Sequence, residues 1–325
     1  MTVLVAIYSP FSSWCIPDAW VQRLRERFSR HEFAVARNDA DALAAIGGAE
    51  VAFGARINAA QFGAAHRLRW IHSHAAGVGG MLFPALVDSD VVLTNSRGLS
   101  AASIAEHTIL VTLALFRGLP RAFDRQQQRV WAQDEFIGVI RSLRGARVLV
   151  VGLGAIGTEV ARLAAAFGAA VTGIRRHVGA GAPPGVERTA SPADLQQELP
   201  LADVVVLSAP QTPETVHLIG ARELALMKDG AVFINVSRGK LVDEAALVGA
   251  LGTGRLRGAA LDVFEHEPLA PESPLWARKD VIVTPHVAGF FADYWHDVVE
   301  LFSDNLRRYE AGEPLRNVVD KRAGY

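Results

Sequence analysis

The run Gly152-Leu153-Gly154-Ala155-Ile156-Gly157 carries the first chemical signal in the chain. It follows an apolar stretch, Arg147–Val151, and opens a helical one from Thr158. A lone glycine motif is often only a flexible turn. With a strand before it, a helix after it and a second strand at Val171–Ile174, it reads instead as a dinucleotide site. Gly152 permits the tight turn, Gly154 lets a pyrophosphate approach the backbone, and Gly157 lets helix and strand pack closely. The helix amino terminus then offers unpaired N–H groups and a favourable dipole to the phosphates.

The second strand of such a site normally ends in an acid that holds the ribose diol of NAD. Here the sequence is Ile174-Arg175-Arg176-His177, with no carboxylate. A guanidinium can pair with a 2′-phosphate in a bidentate way, whereas an acid would repel it. The expectation is therefore NADP(H) as the preferred cofactor with NAD(H) still possible; the bland alternative is two solvated surface charges.

Three more polar motifs follow late strand-like runs: Asn235-Val236-Ser237-Arg238-Gly239, Leu261-Asp262-Val263-Phe264-Glu265-His266-Glu267-Pro268 and Thr284-Pro285-His286-Val287-Ala288-Gly289. Each sets a polar side chain on the sheet edge where a nicotinamide should lie. Glu265 and Glu267 are too close together for spacing alone to choose between them. His72 and His74 sit two apart and could share a strand face, but no third ligand is evident, so no metal is expected. His107 and Glu106 read as the interior of a helix.

The elements that must position these groups are legible as periodic runs. The first third alternates helical and strand-like stretches, with strands expected at Val3–Tyr8, Ala49–Phe53, Leu68–His72 and Val91–Thr94 and a helix at Trp20–Phe28. From Arg147 onward the strand candidates are Arg147–Val151, Ala170–Ile174, Val204–Ser208, Val232–Val236, Ala259–Val263 and Val281–Thr284. They are continuously apolar, as strands buried on both faces are. Helices are expected at Glu159–Phe167, Arg222–Met227 and Glu244–Leu251, and an amphipathic one at Tyr294–Tyr309. The fold class is α/β: two Rossmann-like domains with doubly wound parallel sheets, the larger sheet six-stranded. A terminal helix that returns to the first domain would make that domain discontinuous.

Composition narrows the function classes. The chain has 325 residues, half of them apolar, and 33 Lys plus Arg against 34 Asp plus Glu. That length fits two domains, and the charge balance favours neither nucleic acid nor an anionic membrane as partner. The only cysteine, Cys15, cannot form an intrachain disulfide and is expected to be a buried, inert thiol. Met1–Pro10 lacks the basic and long apolar regions of a secretory signal, and the apolar stretch Ile104–Phe116 is too short to span a bilayer. A cytoplasmic location is expected.

Taken together, the motifs resemble the D-isomer-specific 2-hydroxyacid dehydrogenase family, which includes glyoxylate/hydroxypyruvate reductases, phosphoglycerate dehydrogenases and formate dehydrogenase. Ala75-Ala76-Gly77-Val78, Thr94-Asn95-Ser96-Arg97-Gly98, Ile104-Ala105-Glu106-His107, Pro210-Gln211-Thr212-Pro213-Glu214-Thr215 and Gly312-Glu313-Pro314-Leu315 extend the likeness through almost the whole chain. The closest pattern is that of NADP-linked glyoxylate/hydroxypyruvate reductases. The resemblance implies that Arg238 holds the substrate carboxylate and polarises the 2-keto oxygen. His286 would protonate that oxygen, and Glu267, chosen by its Glu-Pro pair, would orient the imidazole. Ala76 and Gly77 would bind the carboxylate through their backbone.

Further cofactor contacts implied by the likeness are Ala155, Ile156, Ala209, Pro210, Thr215, Val236, Ser237, Asp262 and Ala288, with Asp262 near the nicotinamide. It also implies a substrate domain formed by residues 1–98 and 289–325, around a dinucleotide-binding domain at 99–288. Helices near Ala101–Arg121 would make a homodimer. The expected activity is reduction of a small 2-keto acid to the D-2-hydroxy acid. Gly79 stands where many relatives carry Asp. The same family resembles transcriptional corepressors, so a dinucleotide-binding sensor or scaffold with little turnover is the alternative. Formate oxidation fits poorly, because that branch has Gln beside its catalytic His.

Overall fold

A computed structural model describes residues 1–325, the side chain of Ala180 apart. The chain divides into two compact units, one made of Met1–Leu99 with Phe291–Tyr325 and the other of Ser100–Phe290. Among the described residues, the first holds a five-stranded sheet and the second a seven-stranded sheet.

In the first unit the strands are β1 (Thr2–Val5), β2 (Glu32–Val35), β3 (Val51–Phe53), β4 (Trp70–Ser73) and β5 (Val92–Asn95), in the order β2-β1-β3-β4-β5. Every pairing is parallel. Successive side chains leave a strand on opposite faces. Val3 and Val5 therefore join one core layer while Leu4 and Ala6 join the other. The first layer is closed by helices α1 (Asp18–Arg27) and α2 (Tyr294–Ala311). Phe302 of α2 stacks on Phe53 at 4.1 Å and on Trp70 at 5.4 Å. The Asn305 side chain of α2 bonds both the N–H and the carbonyl of Arg316, and Val319 donates to the Leu93 carbonyl of β5.

Strand β2 has no counterpart in the sequence reading, and β1 ends at Val5 rather than Tyr8. Cys15 is half-buried rather than buried, with its Sγ 3.4 Å from the Ser9 carbonyl.

The second unit contains β6 (Arg147–Val151), β7 (Ala170–Ile174), β8 (Arg188–Ala190), β9 (Val204–Leu207), β10 (Val232–Asn235), β11 (Gly258–Leu261) and β12 (Val281–Val283). Their order is β12-β11-β10-β9-β6-β7-β8, all parallel. The expected six-stranded sheet is thus corrected to seven by β8, a three-residue edge strand. Val204 and Val206 face one core layer and Val205 and Leu207 the other, so this sheet is covered on both sides. Chain order reverses across β6 and β9, which makes their carboxyl ends the switch point where ligands bind in such sheets.

Helix α3 (Ala155–Ala166) starts four residues before the expected Glu159, because extended Gly154 serves as its amino-terminal cap. Helix α4 (Ala101–Phe116) packs on the same face as α3 through Ala105, Ile109 and Leu115. No single helix among the described residues is long and apolar enough to cross a membrane.

Candidate active site

The glycine turn leaves β6 at the switch point. Gly152 has φ +106°, and a Cβ there would lie 2.5 Å from the Ala209 nitrogen, so only glycine fits. A Cβ on Gly157 would come within 1.9 Å of the Gly152 carbonyl oxygen. Gly154 faces open space instead, with nothing within 4 Å of its Cβ position. It caps a 12-residue helix without any side-chain cap, so the first N–H groups of α3 remain on offer. Ser208 Oγ donates to the Gly152 carbonyl at 2.8 Å, tying the turn to the end of β9. An open Gly154 against an uncapped helix terminus fits a pyrophosphate.

Around that turn Ala155 is exposed and Ile156 half-buried. Ala209 and Pro210 follow β9, and Thr215 Oγ1 closes their loop onto the Pro210 carbonyl at 2.8 Å. Arg175 is half-buried. One of its terminal nitrogens donates to the Gly181 carbonyl, and its buried Nε has no protein partner among the described residues. Exposed Arg176 lies 3.4 Å from the Glu214 carboxylate.

The three polar motifs leave adjacent strands. Asn235, the last residue of β10, is buried. It donates to the Arg238 carbonyl at 3.1 Å and accepts from the Ser237 N–H and hydroxyl, both at 3.1 Å. Val236 and Ser237 are buried in the turn so formed. Gly239 then passes so near β11's extension that a Cβ would sit 1.8 Å from the Phe264 carbonyl carbon. This contact brings Arg238 to the stretch that carries Glu267. Burial lowers the pKa of the half-buried Arg238 guanidinium, and the Glu267 carboxylate opposes the shift; a guanidinium still remains charged at neutrality.

His286 Nδ1 lies 2.7 Å from Glu267 Oε2, while Glu267 Oε1 accepts the Phe264 N–H at 3.0 Å. Burial alone would raise the Glu267 carboxyl. The His286 hydrogen bond and charge, the Phe264 N–H and Arg238 outweigh it and hold the carboxyl below its usual value. An ionised Glu267 only accepts, so Nδ1 carries the proton and Nε2 is the nitrogen left for proton transfer. Glu265 bonds the Glu244 N–H and His217 instead, which resolves the choice that spacing left open. Asp262 is 3% exposed and accepts from Thr284 Oγ1 and from the N–H groups of Val287 and Ala288.

In the first unit the carbonyls of Ala75 and Ala76 are taken by Ser96 N–H and Asn95 Nδ2. The N–H groups of Ala76 and Gly77 have no protein acceptor among the described residues, and both residues are exposed. Buried His72 bonds the hydroxyls of Thr94 and Ser96, and burial pushes its pKa down to about 3. It is a neutral core residue.

The dehydrogenase-like geometry has a counterpart in known proteins. Residues 109–288 match the family model described as D-isomer specific 2-hydroxyacid dehydrogenase, NAD binding domain. The chain belongs to the D-isomer-specific 2-hydroxyacid dehydrogenase family. Among its relatives in this family is a glyoxylate reductase of Thermococcus gammatolerans, 31% identical over 96% of this chain and 95% of that protein. Two solved structures share the fold closely. A family member from Xanthobacter autotrophicus Py2 in complex with NADPH and MES has TM-score 0.85 and 32% identity, covering 99% of each chain. The NADPH-dependent glyoxylate/hydroxypyruvate reductase of Sinorhizobium meliloti, in complex with NADP and sulfate, has TM-score 0.86 and 29% identity, covering 100% of each. The chain spans about half the length of the D-3-phosphoglycerate dehydrogenases it also matches, such as that of Archaeoglobus fulgidus at 50%.

Two residues that organise the site were given no role from the sequence. Asn235 and Ser208 are polar groups closing otherwise apolar strands, a signal that was available. Glu106 and His107 lie inside helix α4 as expected; Glu106 is exposed, while half-buried His107 also bonds Thr284 Oγ1 at 3.2 Å. Only the packing of α4 reveals that bond.

Proposed function

We propose that this chain reduces a small 2-keto acid to the D-2-hydroxy acid, with NADPH as the preferred cofactor. The observation that carries the reading is the 2.7 Å bond between Glu267 and His286, with Arg238 near enough to act on the same carboxylate. When bound, the nicotinamide supplies a hydride to the substrate C2. Arg238, a fixed planar fork, holds the carboxylate and polarises the 2-keto oxygen. His286 delivers its Nε2 proton to that oxygen, and Glu267 stabilises the ring while it is charged. The N–H groups of Ala76 and Gly77 are a further carboxylate site.

The glycine turn, Ala155, Ile156, Ala209, Pro210, Thr215, Val236, Ser237 and Ala288 are the residues proposed to hold the cofactor, with Asp262 close by. Two observations support NADPH: no carboxylate ends β7, and Arg175 keeps an unpaired Nε there. Arg176 has to leave Glu214 to help. Glyoxylate, hydroxypyruvate or a bulkier 2-keto acid is the proposed substrate. The names of the Thermococcus and Sinorhizobium relatives support the smaller two.

The test is parallel initial rates with NADPH and NADH on glyoxylate, hydroxypyruvate, pyruvate and phenylpyruvate, for the parent, His286→Ala and Arg175→Asp. The parent turns over with NADPH, and His286→Ala falls roughly 10²–10⁴-fold with cofactor binding kept, the scale of general acid catalysis. Arg175→Asp weakens NADPH use more than NADH use. Cofactor binding without turnover on any acid would favour the sensor or scaffold reading instead.

A further inference from the structure

His286 carries a side chain yet has φ +55°, a left-handed conformation that a non-glycine residue adopts only when its surroundings impose it. Asp262 imposes it from both sides. The His286 N–H donates to the Asp262 carbonyl at 2.9 Å, and the N–H groups of Val287 and Ala288 donate to the two carboxylate oxygens, each at 3.0 Å. The aim of that carboxylate is set in turn by Thr284, whose Oγ1 lies 2.6 Å from Oδ1.

A threonine hydroxyl has one proton. At that distance from a buried carboxylate Thr284 donates the proton to Asp262 Oδ1, so towards any other partner Thr284 can only accept. The other partner is His107 Nε2, 3.2 Å away on α4. His107 therefore keeps its proton on Nε2. Burial lowers its pKa and nearby Asp262 opposes the shift.

We infer that His107 is a positioning residue, which through Thr284 fixes the Asp262 carboxylate and thereby the backbone that presents His286. The inference rests on the reading of His286 as proton donor only for its kinetic consequence; the chain of hydrogen bonds lies within one unit and can be tested without turnover.

Two pairs of variants separate this role from simple packing. Thr284→Val removes the hydroxyl at nearly constant shape, and Thr284→Ser keeps it. His107→Leu removes the donor, and His107→Gln places an amide nitrogen at the same distance along the side chain. Loss of the relay should lower kcat on the order of tenfold in Thr284→Val and His107→Leu, with the cofactor KM moving less than about twofold, since one hydrogen bond to a charged group is at stake. Thr284→Ser and His107→Gln should recover. Amide exchange at Val287 and Ala288, read by mass spectrometry, should quicken in the first pair and not in the second.

Parent-like kcat and exchange in Thr284→Val and His107→Leu overturn the inference, as does equal loss in all four variants. If the parent turns over no 2-keto acid, the functional reading fails and exchange alone decides the relay. If Thr284→Val does not fold, the His107 pair decides.

Discussion

Glu267 divides its two oxygens between the His286 ring and the Phe264 N–H, so the carboxylate is held as a pure acceptor at a fixed angle. Its carboxyl is depressed in the folded protein, against the upward push of burial, by His286, the Phe264 N–H and Arg238. The folded chain therefore binds that proton less readily than the unfolded chain. The stability contributed is full above the unfolded value, about 4.3, and is lost as pH falls through the lower folded value. Glu267→Gln should consequently have a lower Tm than the parent by a margin that is constant near neutrality and narrows in acid. Thermal melts from pH 7 to pH 3 check this. A margin that stays flat throughout would mean that the Glu267 charge plays no part.

At the scale of elements, the site depends on neighbouring strand ends being drawn together. Gly239 does this for β10 and β11 by lying against the Phe264–Glu265 backbone, where no side-chain atom has room. Gly239→Ala should cost at least the 1–3 kcal/mol typical of overpacking, because backbone rather than a mobile side chain must move. The same displacement should raise the KM for the keto acid by pulling Arg238 away. Urea unfolding and substrate kinetics measure the two effects, and unchanged values in both would show that β10 and β11 tolerate separation.

Central strands such as Val204–Leu207 and Val232–Asn235 were legible because both faces are buried and the run is continuously apolar. Edge strands divided: β5 and β12 were read as Val91–Thr94 and Val281–Thr284, but β2 and β8 were not. In β2 only Phe33 is buried, and in β8 only Ala190, so neither leaves a periodic mark. The glycine turn, Arg238 and His286 stood out in ordered motifs, whereas Glu267 was chosen over Glu265 only by the family resemblance. The His107–Thr284–Asp262 chain was not, since its members lie 22 to 177 positions apart and meet only through packing.

For the whole molecule, we propose self-association through the helices near Ala101–Arg121, extended by the segment that follows them to about residue 140. Leu110, Phe123 and Ile137 are 61%, 58% and 77% exposed, and Trp131 is 91% exposed. Exposed large apolar side chains along one segment fit an interaction surface, and a second copy of the chain is the partner proposed here. Light scattering should give a dimer for the parent and a monomer for Trp131→Glu. A monomeric parent would remove the proposal.

Arg238, Glu267 and His286 all come from the uninterrupted stretch Ser100–Phe290, whereas Ala76 and Gly77 come from a unit assembled from two separate stretches. The proposed proton-transfer set and the glycine turn can thus be inherited, duplicated or recombined as one block of coding sequence. The flanking stretches can diverge around it. Within such a lineage residues 100–290 should change slowly, while the stretches 1–99 and 291–325 change faster.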